Sequence, residues 1–197
     1  MILNSPNDPI KELTARCNGN YIESQYDKSQ KAEIDYNGFK IIFDYHTNYI
    51  SGTIYQQQFT RIVAPFLAID NFQFELFRKD IVSSIETFFG AQDFEIGNKK
   101  FDKDFIIKTN NGFKTKAFLS NIELRRCIEN QTEINLHISN QKGIWEEKLP
   151  KKEFELSFYT QEIIEDVERF LALLELFKLA LQQLVSVSSI RPKAIIS

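Results

Sequence analysis

Hydrophobic and polar residues alternate with a period of two along several short segments of the chain. The clearest two segments, residues 33 to 36 and 39 to 46, are separated by the dipeptide Asn37-Gly38. Asn-Gly favours a two-residue type I′ turn, because both central residues of that turn need a positive φ. The pattern therefore predicts a β-hairpin.

Further segments rich in β-forming residues predict more strands. They are residues 53 to 66, 72 to 76, 101 to 107 and 134 to 138, a segment near Trp145, and residues 154 to 158. Pro65 indicates an edge strand or a strand end, because proline cannot donate a hydrogen bond to a neighbouring strand. Most of these segments carry apolar residues on one side and polar residues on the other, which is typical of an antiparallel sheet with one covered face.

Helices are predicted where a capping residue precedes apolar residues at helical spacing. Asp8 precedes a short first helix, and a second helix is predicted over residues 80 to 89. Ser120 and Glu123 match the capping box of a helix over about residues 121 to 130, in which each side chain bonds a free backbone amide of the first turn.

The longest predicted helix lies near the C-terminal end of the chain. Thr160 is its predicted N-cap, and Pro192 ends it. Apolar residues recur between them at alternating spacings of four and three: Ile163, Val167, Phe170, Leu174, Phe177, Leu181 and Leu184. Over about 25 residues such a helix would extend about 37 Å, enough to cross a small sheet. We therefore expect one α+β domain over residues 1–197, in which an antiparallel sheet of about six to eight strands has one face covered by helices.

A second apolar face is predicted on this helix. Ala172, Leu176 and Leu179 fall on the side opposite the apolar stripe if each residue advances about 100° around the axis. Two partners for this face remain open. One is a neighbouring helix of this chain, and the other is a second subunit in a homodimer.

The composition narrows the classes of protein to which the chain can belong. It contains 18 Phe among 197 residues, which predicts a Phe-rich core, with an aromatic-lined cavity as the alternative. A net charge of −3 disfavours nucleic-acid binding, and charged residues within the most apolar stretch argue against membrane insertion. Cys17 and Cys127 lack a CxxC spacing and the N-terminus has no export signal, so we expect a cytoplasmic protein with reduced thiols.

No residue pattern identifies a catalytic, metal or cofactor site. The two histidines, His46 and His137, fall on the polar side of their predicted strands, which predicts exposed side chains rather than a shared site. Asp102 and Asp104 are interpreted as a solvated edge beside lysines, and Cys127 as a core thiol. Glycine-rich phosphate loops and metal-ligand spacings are missing from the sequence, so we expect no cofactor or metal.

The sequence FDKDF at residues 101 to 105 begins a stretch that resembles a bacterial family of unknown function. In that family an FDxxF strand, a polar turn and a helix started by Leu-Thr or Leu-Ser precede a hairpin, which corresponds here to residues 134 to 149. The resemblance covers residues 94 to 150 and, more loosely, the predicted C-terminal helix. Some members look like membrane proteins with a pair of hydrophobic helices ahead of this region, and this sequence shows no such pair. The resemblance implies structural motifs and no activity.

Three functions are considered. The first is a non-enzymatic binding or protein-interaction module, because the fold is well specified and no reactive group of residues is evident. The second is a carrier of a small apolar ligand, held in a Phe-rich cavity between the sheet and the C-terminal helix, as in helix-grip folds. The third is an enzyme of unrecognised type, which convergent His, Asp or Arg side chains in a pocket would support.

Overall fold

The computed structural model describes residues 8–24, 29–49, 56–79, 92–141 and 148–193. Two predictions lie outside these ranges: the helix over residues 80 to 89 and the strand near Trp145. The helices are α1 (Pro9–Cys17), α2 (Lys99–Asp104), α3 (Gly112–Phe118), α4 (Ile122–Glu129) and α5 (Val167–Ser186). The strands are β1 (Asn20–Glu23), β2 (Gln30–Tyr36), β3 (Phe39–Tyr49), β4 (Gln56–Ala68), β5 (Phe74–Arg78), β6 (Gln92–Asp93), β7 (Phe105–Thr109), β8 (Asn135–Ser139), β9 (Glu153–Thr160) and β10 (Ile190–Arg191).

The strands of the described ranges form one ten-stranded antiparallel sheet. Their order is β1-β2-β3-β4-β9-β8-β5-β7-β6, and β10 pairs with β4. Strands β6 and β10 have two residues each, so the eight longer strands agree with the predicted number. The predicted α+β class with an antiparallel sheet is confirmed.

The predicted hairpin is present between β2 and β3. Asn37 and Gly38 connect the two strands with φ values of 49° and 81°, the positive values that a type I′ turn needs. Pro65 lies inside β4, between Val63, where the pairing with β3 ends, and Leu67, where the pairing with β10 begins. The missing N–H of Pro65 therefore costs no strand-to-strand hydrogen bond on that side.

One face of the sheet carries the hydrophobic core. Apolar residues that are at most 2% exposed lie opposite one another across six neighbouring strands: Phe43, Ile62, Phe158, Leu136, Leu76 and Ile107. Helix α5 packs on this core, and its Phe170 contacts Phe43 edge to face with 5.6 Å between the ring centroids. Helices α1, α3 and α4 pack against α5. The predicted helical layer over one face is therefore confirmed.

The phenylalanine side chains of this core contact one another. The ring centroids of Phe74 and Phe118 are 5.0 Å apart, and those of Phe101 and Phe105 are 4.5 Å apart. Such distances are those of packed aromatic pairs. These contacts show that the rings pack against one another in the core of the described residues. A function as carrier of a small apolar ligand stays a prediction.

The C-terminal helix begins later than predicted. Thr160 is the last residue of β9 rather than an N-cap, and its hydroxyl donates to Glu133 Oε2 at 2.5 Å. Asp166 caps α5 by accepting from the amide of Glu168 at 2.9 Å, so Ile163 precedes the helix. The helix has 20 residues rather than about 25.

Contacts with β4 keep the chain between β9 and α5 out of a helix. The Thr60 hydroxyl donates to the carbonyl of Glu162 at 2.6 Å and accepts from the amide of Ile164 at 3.0 Å. These tertiary hydrogen bonds occupy backbone groups that the first turn of a helix starting at Thr160 would use. Tertiary contacts therefore override the local capping signal.

Helix α4 begins at the predicted place with a different cap. The side chain of Asn121 accepts from the amide of Leu124 at 2.9 Å, whereas the Ser120 hydroxyl donates to the carbonyl of Ala117 in α3. The predicted capping box is wrong. Helix α3 ends at Phe118, two residues before Ser120, and its terminal carbonyls, which lack partners within their own helix, compete for the serine hydroxyl.

The FDKDF sequence contains a short helix followed by a strand rather than one continuous strand. Phe101 lies in α2, and Phe105 begins β7. The Asp102 carboxylate accepts from the amides of Ile96 and Gly97 at 2.9 Å each. Asp102 therefore holds the preceding turn in place, and its interpretation as part of a solvated edge is wrong.

Helix α5 is covered around more of its circumference than a single apolar stripe predicts. Leu176 is fully buried within this chain, Leu179 is half-buried against the core, and Ala172 is exposed. Helices α1, α3 and α4 all contact α5, which agrees with the neighbouring-helix alternative for this face. A subunit contact stays a prediction that now depends on Ala172 and Leu179.

Candidate functional site

The second face of the central strands is also buried. Strand β9 is buried at every residue from Phe154 to Thr160, and β8 from Asn135 to Ile138. Side chains that alternate with the core residues therefore point into a second covered region and not into solvent. Beyond the helix-covered face that the sequence predicts, these strands are therefore buried on their second face as well.

Polar and ionisable side chains are concentrated on this second face, which we call the polar face. It consists of Asp44, Arg61, Glu75, Asn135, His137, Glu155, Ser157 and Tyr159. All but Asp44 and Arg61 are at most 9% exposed. Burying such groups costs free energy unless they are hydrogen-bonded, and buried ionisable groups cluster at functional sites. The polar face is therefore the candidate site.

Strand register aligns the centre of the polar face. Glu75 of β5 lies opposite His137 of β8, which in turn lies opposite Ser157 of β9. Arg61 of β4 lies opposite Tyr159 of β9. Neighbouring strands are about 4.8 Å apart, so directly opposite side chains on one face are close enough to contact each other.

His137 lies at the centre of this arrangement. Its Nε2 is 3.0 Å from Ser157 Oγ, and its ring stacks on Tyr159 with 5.6 Å between the ring centroids. Burial lowers the pKa of His137 to about 4, because an imidazolium would lose its hydration there. The side chain is therefore neutral at pH 7, and the prediction of an exposed His137 is wrong.

Hydrogen bonding indicates which ring nitrogen of His137 carries the proton. Within the described ranges the Ser157 hydroxyl has one partner, His137 Nε2. A buried hydroxyl hydrogen needs an acceptor, so the hydroxyl donates to Nε2 and the imidazole proton lies on Nδ1. No described residue hydrogen-bonds this Nδ1 or the buried Oδ1 of Asn135. Strand β8 thus presents one open donor and one open acceptor on the polar face.

An ion pair adjoins Tyr159 on the polar face. The Nε and Nη2 atoms of Arg61 donate to the two carboxylate oxygens of Asp44 at 2.8 and 2.6 Å. Burial disfavours the guanidinium charge, but the hydrogen bonds and the charge of Asp44 outweigh it and raise the pKa of Arg61. Arg61 therefore stays charged and is already bound by Asp44 in two places.

The Ser157 and His137 pair also resembles the contact that activates a serine nucleophile. Here the serine side chain is fully buried, and Glu75, which faces His137 from β5, makes no hydrogen bond to Nδ1. A nucleophile needs room for a substrate carbonyl beside its oxygen and an acid that orients the base. The described geometry is better suited to hydrogen-bonding a ligand than to attacking one.

The other residues considered from the sequence lie elsewhere. His46 is on β3, and β4 and β9 separate that strand from β8, so the two histidines do not form a shared site. Cys17 and Cys127 are half-buried thiols, and burial raises the pKa of each. In the described part of the chain, no group of three or more His, Cys, Asp or Glu side chains could hold a metal ion. No helix in that part is long and apolar enough to cross a membrane.

Sequence reasoning does not identify the polar face. Alternation of polar and apolar residues is the same for a strand that faces solvent and for one that faces a second buried layer. The one weak signal is in β9, where Ser157 and Tyr159 occupy polar positions that a solvent-facing strand more often fills with charged side chains.

Comparisons with protein-family models, curated proteins and solved structures gave no match. The resemblance inferred from the FDKDF sequence therefore stays a prediction. The function is therefore inferred from the geometry of the polar face.

Proposed function

We propose that the protein is a non-enzymatic binding module that holds a small polar ligand against the polar face. The observation that carries this proposal is the pair of buried, open polar atoms, His137 Nδ1 and Asn135 Oδ1. A buried polar atom without a hydrogen bond costs about 1–3 kcal/mol. A ligand that bonds both atoms would remove this cost when it binds.

The surroundings of the two open atoms suit a binding site. The low pKa of His137 keeps its ring neutral, so Nδ1 donates without bringing a net charge into the buried region. Stacking on Tyr159 and the bond to Ser157 fix the orientation of the ring. Both open side chains extend from one strand, and sites on regular elements are positioned more accurately than sites on loops.

Native mass spectrometry of freshly purified protein tests the proposal. The wild-type protein should carry extra mass from a retained small molecule, which denaturation releases. The double variant His137→Leu/Asn135→Leu should lose this mass, because both hydrogen bonds to the ligand are gone, whereas His46→Gln should keep it. Circular dichroism of each variant checks that it is folded.

Two results would contradict the proposal. One is a wild-type protein whose mass equals that of the polypeptide alone. The other is a retained small molecule that the double variant binds equally well. A retained lipid that survives in the double variant would instead support the carrier of an apolar ligand.

A further inference from the structure

We propose that the ligand of the polar face presents an amide-type edge, with a carbonyl oxygen and an N–H group on the same carbon, as in carboxamides and lactams. This inference rests on the proposed function and names the chemical class of the ligand. The feature that carries it is one open donor and one open acceptor side by side on β8, His137 and Asn135.

The two open atoms have opposite hydrogen-bonding roles. Because the Ser157 hydroxyl donates to Nε2 of His137, the Nδ1 atom carries a hydrogen and needs an acceptor. The Oδ1 atom of Asn135 is a carbonyl oxygen and needs a donor. A ligand that satisfies both must therefore supply an acceptor to His137 and a donor to Asn135.

The two side chains extend from the same face of one strand. Residues two apart on a strand have Cα atoms about 6.6 Å apart. The oxygen and nitrogen of an amide are about 2.3 Å apart, as its bond lengths require. The carbonyl oxygen and the N–H group of one edge form nearly parallel hydrogen bonds of about 2.9 Å each. The proposal therefore requires the side chains of Asn135 and His137 to converge on that edge from their positions on β8.

Ligands with charged ends fit less well. A carboxylate supplies two acceptors and no donor, so Asn135 would stay without a partner. An ammonium group supplies donors only, so His137 would stay without one. Either ion would also lose its hydration in a region where the open side chains are at most 9% exposed.

A titration with small probes tests the inference in the wild-type protein and needs no variant. Formamide and 2-pyrrolidone carry the proposed edge, N,N-dimethylformamide keeps the carbonyl but has no N–H, and acetate and methylammonium represent the charged alternatives. The readout is the NMR signal of the His137 Nδ1–H group. A three-heavy-atom ligand binds no more tightly than about millimolar, so the titrations extend to about 100 mM.

Formamide and 2-pyrrolidone should shift the Nδ1–H signal in a saturable way. The other three probes should bind at least about ten-fold more weakly, because each leaves one buried atom without a partner. Equal saturation by N,N-dimethylformamide, or no saturable shift with either amide, would overturn the inference. If the wild-type protein retains a ligand without an amide edge, the inference fails and the proposed function stands. If nothing is retained and neither amide binds, both fail.

Discussion

Acidification should destabilise this fold through His137. Burial lowers the pKa of His137 to about 4 in the folded protein, against 6.5 for an unperturbed histidine. Between these two values the unfolded chain binds a proton that the folded protein does not, so unfolding becomes more favourable as the pH falls. From pH 7 to pH 5 this single group should lower the free energy of unfolding by about 2 kcal/mol.

Urea unfolding followed by circular dichroism at both pH values measures this effect. The reference is the double variant His137→Leu/Ser157→Ala, which removes both partners of the hydrogen bond and leaves neither without its partner. Between pH 7 and pH 5 the free energy of unfolding of the wild-type protein should fall by about 2 kcal/mol more than that of this variant. His46→Gln keeps His137 and should therefore still lose more of its free energy of unfolding than the double variant does. Equal losses in the wild-type protein and the double variant would refute the reasoning, because carboxylates common to both would then explain all of the acid sensitivity.

Three further predictions concern other parts of the structure, and urea unfolding at pH 7 measures each. Asp44→Ala leaves a charged Arg61 partly buried without its partner and should lower the free energy of unfolding by about 2–3 kcal/mol. A decrease below about 1 kcal/mol, the value for exposed ion pairs, would show that water solvates the pair. Phe170→Ala should cost about 3–5 kcal/mol by opening a cavity in the core, and an unchanged midpoint would contradict that packing. Asn121→Ala should cost about 1 kcal/mol and Ser120→Ala much less, and the reverse order would identify Ser120 as the cap of α4.

The parts of the fold that depend on residues close together in the sequence could be predicted from it. The hairpin follows from Asn37 and Gly38, whose positive φ values are a local preference. The apolar stripe of α5 follows from helical spacing, and most of its residues are buried as expected. The start of that helix could not be predicted, because hydrogen bonds from Thr60, distant in sequence, hold the preceding residues out of it.

The candidate site could not be predicted for a related reason. The position of His137 on the polar side of its strand is correctly inferred, yet its exposure depends on what covers that face of the sheet. Coverage is a tertiary property, and a period-two pattern does not contain it. The pairing of His137 with Ser157 likewise depends on the register of β8 against β9, which the two segments do not specify separately.

The imidazole ¹⁵N spectrum of His137, assigned by comparison with His46→Gln, tests the buried polar face most directly. The account predicts a neutral ring at pH 7 with its proton on Nδ1 and an Nε2 that accepts from Ser157. It also predicts that this ring stays neutral on acidification until the pH approaches about 4. A ring that titrates near the ordinary histidine pKa, with both tautomers populated in rapid exchange, would place His137 in solvent and contradict the account.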